Sequence, residues 1–499
     1  MPITPRADLA PNTVDYENLP LVKATGFREY DARWLLGSEI NLIGIQALGL
    51  GLGTYLHELG KRRIVVGHDY RAYSLSVKQA LSLGLMMAGC EVLDIGLALS
   101  PTAYFAQFDL EAPCVAMVTA SHNENGWTGV KMGAAPPLTF GPDEIGRLRD
   151  IVLAGAGVAR AGGTLTQVDG VAERYIADVA ARCALKRPLK VVCACGNGTA
   201  GAFAPDALRR MGAEVITLDC DLDWTFPRYN PNPEDGKMLH VMGEAVRAHG
   251  ADLALGFDGD GDRCGVVDDE GEEIFADKVG LMLARDLAPL HPGATFVVDV
   301  KSTGLYATDP VLAAHGATTV YWKTGHSHIK RKVAELGALA GFEKSGHFFF
   351  AEPLGRGYDC GLTAAAAVLA MLDRKPGRRL SDLKRSLPVA FTSLTMSPHC
   401  ADEVKYDVAA EVVKAYQDLA ANDGAILGRK ITDVITVNGV RVGLDDGSWI
   451  LVRPSSNKPE LVVVVESMRS SDDMRALFHQ EVKPRLALWP AIGTYNQEI

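Results

Sequence analysis

The sequence predicts an α/β fold in which three related mixed α/β domains are followed by a smaller α+β C-terminal domain. Three observations carry that prediction. An apolar run, a Gly-bearing polar turn, a helical segment ending in Gly and a second apolar run occur in that order three times, which is the signature of βαβ units. The last hundred or so residues break this pattern with one helical stretch and several strands. At 499 residues the chain is too long for one compact core, and its length favours roughly three or four domains.

Taken in order, KRRIVVGHD (61–69) reads as a buried strand, SLSVKQALSLGLMMAG (74–89) as a helix, and CEVLDIG (90–96) as the next strand. The arrangement returns at LKVVCACGNG, APDALRRMG and AEVITLD, and again at ATFVVDVKSTG, LYATDPVLAAHG and ATTVYWKTG. In the last region YDVAAEVVKAYQDLAAN reads as a helix, followed by strand-like ITDVITVNGVRVGLDDGSWILVR and LVVVVES, with a hairpin turn at Asp445–Gly447. VAFTSLTMSPH, with Pro388 and Pro398 on either side, reads as a linker into it. These breaks give domains at 1–168, 169–273, 274–387 and 388–499.

Hydrophobic residues at 47% and charged residues at 22% are ordinary globular values. A net charge of -11 argues against general affinity for nucleic acid or anionic membranes, so an anionic substrate requires local clusters of Arg and Lys. The polar N-terminal stretch predicts no secretory signal, and no apolar run approaches the roughly 20 residues of a membrane span. Nine scattered cysteines point to reduced thiols in the cytoplasm. Cys193 and Cys195, one residue apart in a strand, face the same way and cannot supply a four-ligand zinc site.

Four stretches carry chemistry. TASHNENGWTGVKMG (119–133) follows a strand-like run and holds Ser121 at the strand end, where its hydroxyl can be reached; most such polar loops are only connections. In FDGDGDR, Asp258, Asp260 and Asp262 sit two apart, so an extended backbone projects all three carboxylates to one side. Such carboxylates repel unless a hard divalent cation takes their oxygens, and Mg²⁺ is the natural candidate. A calcium loop of the EF-hand kind is ruled out by Arg263 at its glycine position and Asp269 at its glutamate position. In GFEKSGHFFF, Glu343, Ser345 and His347 alternate and offer acceptors and donors suited to vicinal sugar hydroxyls. In WILVRPSSNKPE, Arg453, Ser455, Ser456 and Asn457 form a turn between strands, a guanidinium beside hydroxyls and turn amides that suits a phosphate. GNGTAG (196–201) opens a helix after a strand, with Asp219 at the end of the next strand. That pattern also fits a dinucleotide fingerprint, so an NAD-dependent dehydrogenase is the reading from a different class.

These stretches in this order resemble the α-D-phosphohexomutase family, in its bacterial phosphomannomutase/phosphoglucomutase branch. The resemblance runs from FREYDAR (27–33) through TASHN with Lys131 ten residues after the serine, then CGNG, DGDGDR, VDVKSTG, WKTGHS, GFEKSGH and the R-x-S turn. KTGHS and VDVKSTG favour this branch over the phosphoglucosamine mutases, and GNGTAG becomes the opening of the second domain. The resemblance implies domains arranged around a central cleft and an isomerase that interconverts hexose 1-phosphate and hexose 6-phosphate of mannose and glucose. Ser121 is then the phosphoserine, with Asp258, Asp260, Asp262 and the serine phosphate as Mg²⁺ ligands. Tyr30, Arg33 and Lys131 lie beside it, and Arg263 and Lys301 contact the phosphosugar. Glu343 and Ser345 hold the sugar hydroxyls, His326 and His347 are the histidines of the cleft, and Arg453, Ser455, Ser456 and Asn457 clamp the other phosphate, with the fourth domain as a lid. A hexose 1,6-bisphosphate is intermediate and activator. Lys131, its pKa lowered by Arg33 or burial, and His347 are both able to serve as general base. A monomer or weak dimer is expected. The chain departs from the family pattern at Glu124 (usually proline), Thr128 (asparagine), Trp34 (glycine) and Lys458 (threonine), changes that bear on loop geometry more than on activity. A catalytically silent sugar-phosphate binder would be expected to lack the serine or an aspartate, and neither is lost.

Overall fold

The computed structural model describes residues 19–455 and 458–499, and it divides into two compact units. One extends to Ala276 and takes in Ser345–Ser381; the other comprises Asp277–Lys344 and Asp382–Ile499. No helix among the described residues is long and apolar enough to cross a membrane.

The first unit holds two mixed sheets. Its six-stranded sheet runs in the order Ala32–Leu35, Trp127–Gly133, Cys114–Val118, Arg63–His68, Glu91–Leu97, Thr164–Gln167. The last four are parallel and the first two antiparallel, as βαβ crossovers plus an edge hairpin require. Cys114–Val118 is buried throughout, matching its unbroken apolar run. Helices Leu42–Glu58 and Ser74–Met87 cover the sheet, and they approach so closely that a Cβ on Gly84 would lie 2.0 Å from the Gln46 carbonyl. The second sheet runs Glu273–Ile274, Cys264–Val267, Leu253–Phe257, Lys190–Ala194, Glu214–Leu218, with the last three parallel. Strands Leu253–Phe257 and Cys264–Val267 form a hairpin, and its connection is the triple-aspartate loop.

In the second unit, strand Thr295–Asp299 pairs in parallel with Thr318–Trp322 and with Ala340–Phe342. LYATDPVLAAHG, expected as one helix, is two short ones, Leu305–Thr308 and Pro310–Ala314. Pro310 cannot donate to the preceding turn, and the Asp309 side chain caps the second piece at Val311 N. The C-terminal sheet is antiparallel, ordered Phe391–Thr392, Leu461–Ser467, Trp449–Pro454, Val440–Leu444, Arg429–Ile435, Ala425–Ile426, with helix Lys405–Ala421 packed on it. VAFTSLTMSPH, expected as a linker, supplies the edge strand Phe391–Thr392 and a further bridge from Met396 to Val463. This sheet is bolted to the loop after Thr295–Asp299. Arg441 donates to the carbonyls of Val300 (2.6 Å) and Ser302 (2.7 Å), and Glu466 accepts from Thr303 Oγ1 (3.0 Å) and Gly304 N (2.8 Å). All of these residues are buried, so the α+β domain and the strands before it share one packed unit.

Candidate active site

Ser121 stands three residues past the end of a parallel strand, the position from which α/β sheets reach ligands. Its φ is +51°, a left-handed conformation that costs a non-glycine residue about 1 kcal/mol or more, so the surroundings must enforce it. Two residues after the neighbouring strand do so. Asp69 accepts from Thr119 Oγ1 at 2.9 Å, and that hydroxyl in turn accepts from Ser121 N at 2.9 Å. Arg71 donates to the carbonyls of Ser121 (2.9 Å), Asn123 (2.6 Å) and Glu124 (3.1 Å). The loop is thus built from outside, and the serine hydroxyl is left to donate to Asp258 Oδ2 at 3.1 Å. His122 Nδ1 lies 3.3 Å from Ser121 Oγ; burial and then Arg263 and Arg33 hold that imidazole well below its ordinary pKa.

The three aspartates converge as expected but not on an extended strand. The loop turns at Gly261, φ +71°, with Gly261 N donating to the Asp258 carbonyl. All three carboxylates are fully buried, with ligand oxygens within 4.8 Å of one another. Asp260 Oδ1 and Asp262 Oδ1 have no hydrogen-bond partner among the described residues. Burial, and then repulsion from Asp262 and Asp260, push the Asp258 carboxyl well above its usual range. An all-oxygen, electron-rich set with orphaned buried oxygens fits a hard divalent cation. Gly259 is required for a different reason, since a Cβ there would meet the Ser121 carbonyl at 2.5 Å.

Lys131 comes from strand Trp127–Gly133 and is 2% exposed. Its ammonium donates to Asp260 Oδ2 at 2.6 Å and to Asp262 Oδ2. Burial pulls the amine down, but Asp260 and Asp262 outweigh it and hold it well above its ordinary value, so the expected lowering is not found. Arg33, on the adjacent edge strand, does not press on it either. Its guanidinium is engaged by Asp31 (2.9 Å) and Asn123 Oδ1 (2.6 Å), with Tyr30 in the bend just before. Arg263 donates from Nε to His347 Nε2 at 3.0 Å and from Nη1 to Glu234 at 3.0 Å. Because a guanidinium only donates, Nε2 of His347 must be the acceptor, and its proton sits on Nδ1, 3.2 Å from Asp359. Ser345, two residues earlier, is half-buried in this same unit.

The structure therefore brings together Ser121, Asp258, Asp260, Asp262, Arg33, Lys131, Arg263 and His347. Tyr30 and Ser345 belong to the first unit as well, whereas Lys301, His326, Glu343, Arg453 and Ser455 lie in the second unit, the first three just beyond the carboxyl ends of its parallel strands. Glu343 is buried and accepts from Gly325 N at 2.5 Å, next to buried His326 at the start of helix His326–Leu336. Lys301 Nζ is 4.0 Å from Asp299, whose carboxylate also accepts from Thr324 Oγ1 and Lys344 N. Arg453 ends a strand of the C-terminal sheet, and Ser455 Oγ accepts from Lys458 N at 3.2 Å. Ser456 and Asn457 lie outside the described residues.

Asp69, Arg71, Ser100 (to Asp260 Oδ2, 2.5 Å), His122 and Asp359 belong to the site and were not singled out by sequence. Arg71 acts through backbone carbonyls, which leave no trace in a motif. The departures are absorbed by packing: Trp34 is fully buried, donates to the Lys23 carbonyl and takes the space above Gly26. Glu124 joins the site only through its carbonyl, and Thr128 is buried in its strand. The dinucleotide reading of GNGTAG fails on the same grounds. Pro231 and the Gly259 backbone fill the space over Gly196 and Gly198, the Cys220 carbonyl sits where a Gly201 Cβ would be, and Asp219 is taken by Arg228 and Tyr229. No room is left there for a pyrophosphate.

The chain matches all four domains of one family: phosphoglucomutase/phosphomannomutase alpha/beta/alpha domain I at residues 24–156, domain II at 173–271, domain III at 275–391 and the C-terminal domain at 401–483. A phosphomannomutase/phosphoglucomutase from Pseudomonas aeruginosa is 34% identical over 93% of this chain and 96% of its own. A phosphoglucomutase from Neisseria meningitidis is 32% identical over 93% and 98% respectively. The crystal structure of a phosphoglucomutase/phosphomannomutase family protein from Burkholderia thailandensis superposes with a TM-score of 0.84 at 28% identity, covering 95% of this chain and 99% of that one. The chain belongs to the phosphoglucomutase/phosphomannomutase family of α-D-phosphohexomutases.

Proposed function

We propose that the protein interconverts the 1- and 6-phosphates of mannose and glucose through a phosphorylated Ser121. The observation that carries this is the pairing of the Ser121 hydroxyl, held in a left-handed turn, with the buried three-carboxylate loop 3.1 Å away. A hydroxyl so placed is well placed for group transfer. Phosphoserine 121 gives its phosphoryl group to the free hydroxyl of a hexose monophosphate, so the serine P–O bond breaks as the sugar P–O bond forms. The bisphosphorylated sugar turns round, and its other phosphate returns to Ser121. Catalysis of this kind is chiefly positioning and charge stabilisation. Asp258, Asp260 and Asp262 would hold Mg²⁺ with the serine phosphate, and the ion would neutralise charge on the transferring group.

The proton of the attacking hydroxyl needs a base. His347 offers Nε2 once Arg263 leaves it for a phosphate oxygen, with Asp359 fixing the tautomer. Lys131 would become a base only when Asp260 and Asp262 are drawn from it, since they now hold its proton. Arg33 and Tyr30 steady the serine phosphate. Arg263 and Lys301 contact the phosphosugar, His326 assists them, Glu343 and Ser345 hold O3 and O4, and Arg453, Ser455, Ser456 and Asn457 clamp the second phosphate. A hexose 1,6-bisphosphate charges the serine. The nine free thiols support residence in the cytoplasm, and we expect a monomer or weak dimer. A coupled assay with mannose 1-phosphate and glucose 1-phosphate, with and without the bisphosphate, tests the reading. Both should turn over with Mg²⁺, and turnover of neither would refute it.

A further inference from the structure

We propose that Cys193, Cys195 and Cys220 form a trithiolate site for a thiophilic d¹⁰ cation such as Zn²⁺. Cys193 lies in strand Lys190–Ala194 and Cys195 just beyond it, so their side chains share one face, and Cys220 comes up to them from the end of the neighbouring strand. The sulfurs of Cys193 and Cys195 are 3.9 Å apart, those of Cys195 and Cys220 are 3.4 Å apart, and all three lie within 4.8 Å of one another. Sulfurs bound to one such ion at about 2.3 Å stand about 3.7–4.0 Å from each other, so the two separations from Cys195 need to change by only about 0.1–0.6 Å.

The donor set selects the ion. Three soft sulfurs with no carboxylate among them favour Zn²⁺, Cd²⁺ or Cu⁺ and disfavour Mg²⁺, which the aspartate loop suits. Cys193 and Cys195 are fully buried while Cys220 is only partly buried, on the side from which an ion would enter. On binding, three S–H bonds give their protons to solvent and three metal–sulfur bonds form, with no change of oxidation state. The ion would tie the two strand ends together beneath the turn Gly196–Gly201. The Thr199 N–H of that turn donates to the Gly259 carbonyl, so the clamp would stiffen the floor of the aspartate loop.

The test is a Cd²⁺ titration of the full-length protein after reduction and chelation, with Mg²⁺ in excess, followed by sulfur-to-cadmium charge-transfer absorption. One ion per chain should bind, Zn²⁺ should displace it, and Cys193→Ser and Cys220→Ser should each weaken it about 100-fold. Asp260→Asn should leave the band intact, which separates this site from the phosphotransfer centre. Where one serine variant fails to fold by circular dichroism, the other is read alone. Absence of the band in the wild type, a band unchanged in the serine variants, or conversion of Cys195 and Cys220 to a disulfide without metal uptake would overturn the proposal.

Discussion

Gly259→Ala places a methyl group between the two halves of the catalytic centre. Its Cβ would lie 2.5 Å from the Ser121 carbonyl oxygen, whereas a relaxed C···O contact is about 3.3 Å, so the gap must open by about 0.8 Å. Neither side yields easily. The serine loop is held by Arg71 and Thr119, and the aspartate loop by Ser100, which bonds both the Asp260 carbonyl and carboxylate. Since a displacement of about 1 Å costs on the order of 100-fold in rate, kcat should fall about 30- to 100-fold, equivalent to about 2–3 kcal/mol of transition-state stabilisation. The overpacking should cost about 1–3 kcal/mol of stability, leaving the protein folded. A coupled assay of glucose 1-phosphate conversion reads the rate, and thermal melting reads the fold. Gly146→Ala, on a helix with open space around the new methyl, is the control and should leave both nearly unchanged. If Gly259→Ala keeps kcat within twofold of wild type, the proposed coupling of the two loops is wrong.

Three other outcomes follow from the same geometry. Arg71→Lys keeps a charge near Asp69 but cannot reach three carbonyls, so kcat should drop about 10- to 100-fold with a smaller change in KM; an unchanged kcat would remove Arg71 from the machinery. With chelator present, the raised native pKa of Asp258 means that the fold keeps a proton at pH values where the unfolded chain has already lost it. Stability is therefore fully present below the ordinary aspartate range and is lost as pH rises toward the native value, at up to about 1.4 kcal/mol per pH unit. Asp258→Asn should flatten that slope in denaturant titrations and melt higher than chelated wild type at pH 7, and equal slopes would contradict the shift. Mannose and glucose differ only at C2, so their kcat/KM values should lie within about 1–3 kcal/mol, and Glu343→Ala should depress both together; loss of one sugar alone would mean that Glu343 reads C2.

The strands were legible because buried parallel strands are unbroken apolar runs, as Cys114–Val118 and Leu253–Phe257 illustrate. The metal loop was legible because its chemistry is its composition. The sequence predicts one helix over 305–316, which Pro310 splits, and a linker from Val389, where an edge strand of two residues has no periodicity to display. Three features depend on contacts between residues distant in sequence and so had no local signal. These are the grip of Arg71 on the serine loop, the charged state of Lys131, and the buried bonds of Arg441 and Glu466 that merge the C-terminal sheet with the strands before it. Cys193 and Cys195 were seen to share a face, but Cys220, the third sulfur, lies 25 residues beyond Cys195.

The account rests on Ser121 carrying the phosphoryl group, and peptide mapping of that phosphate is its most direct test. The full-length protein, incubated with glucose 1,6-bisphosphate and Mg²⁺ and then freed of sugar, should carry phosphate on the peptide spanning 115–131, localised to Ser121. That phosphate should be lost on addition of excess glucose as a slow acceptor or of hexose monophosphate as a fast one, and Ser121→Ala should neither gain it nor turn over. Phosphate confined to another residue, or a wild-type Ser121 that stays unmodified while the enzyme turns over, would contradict the account.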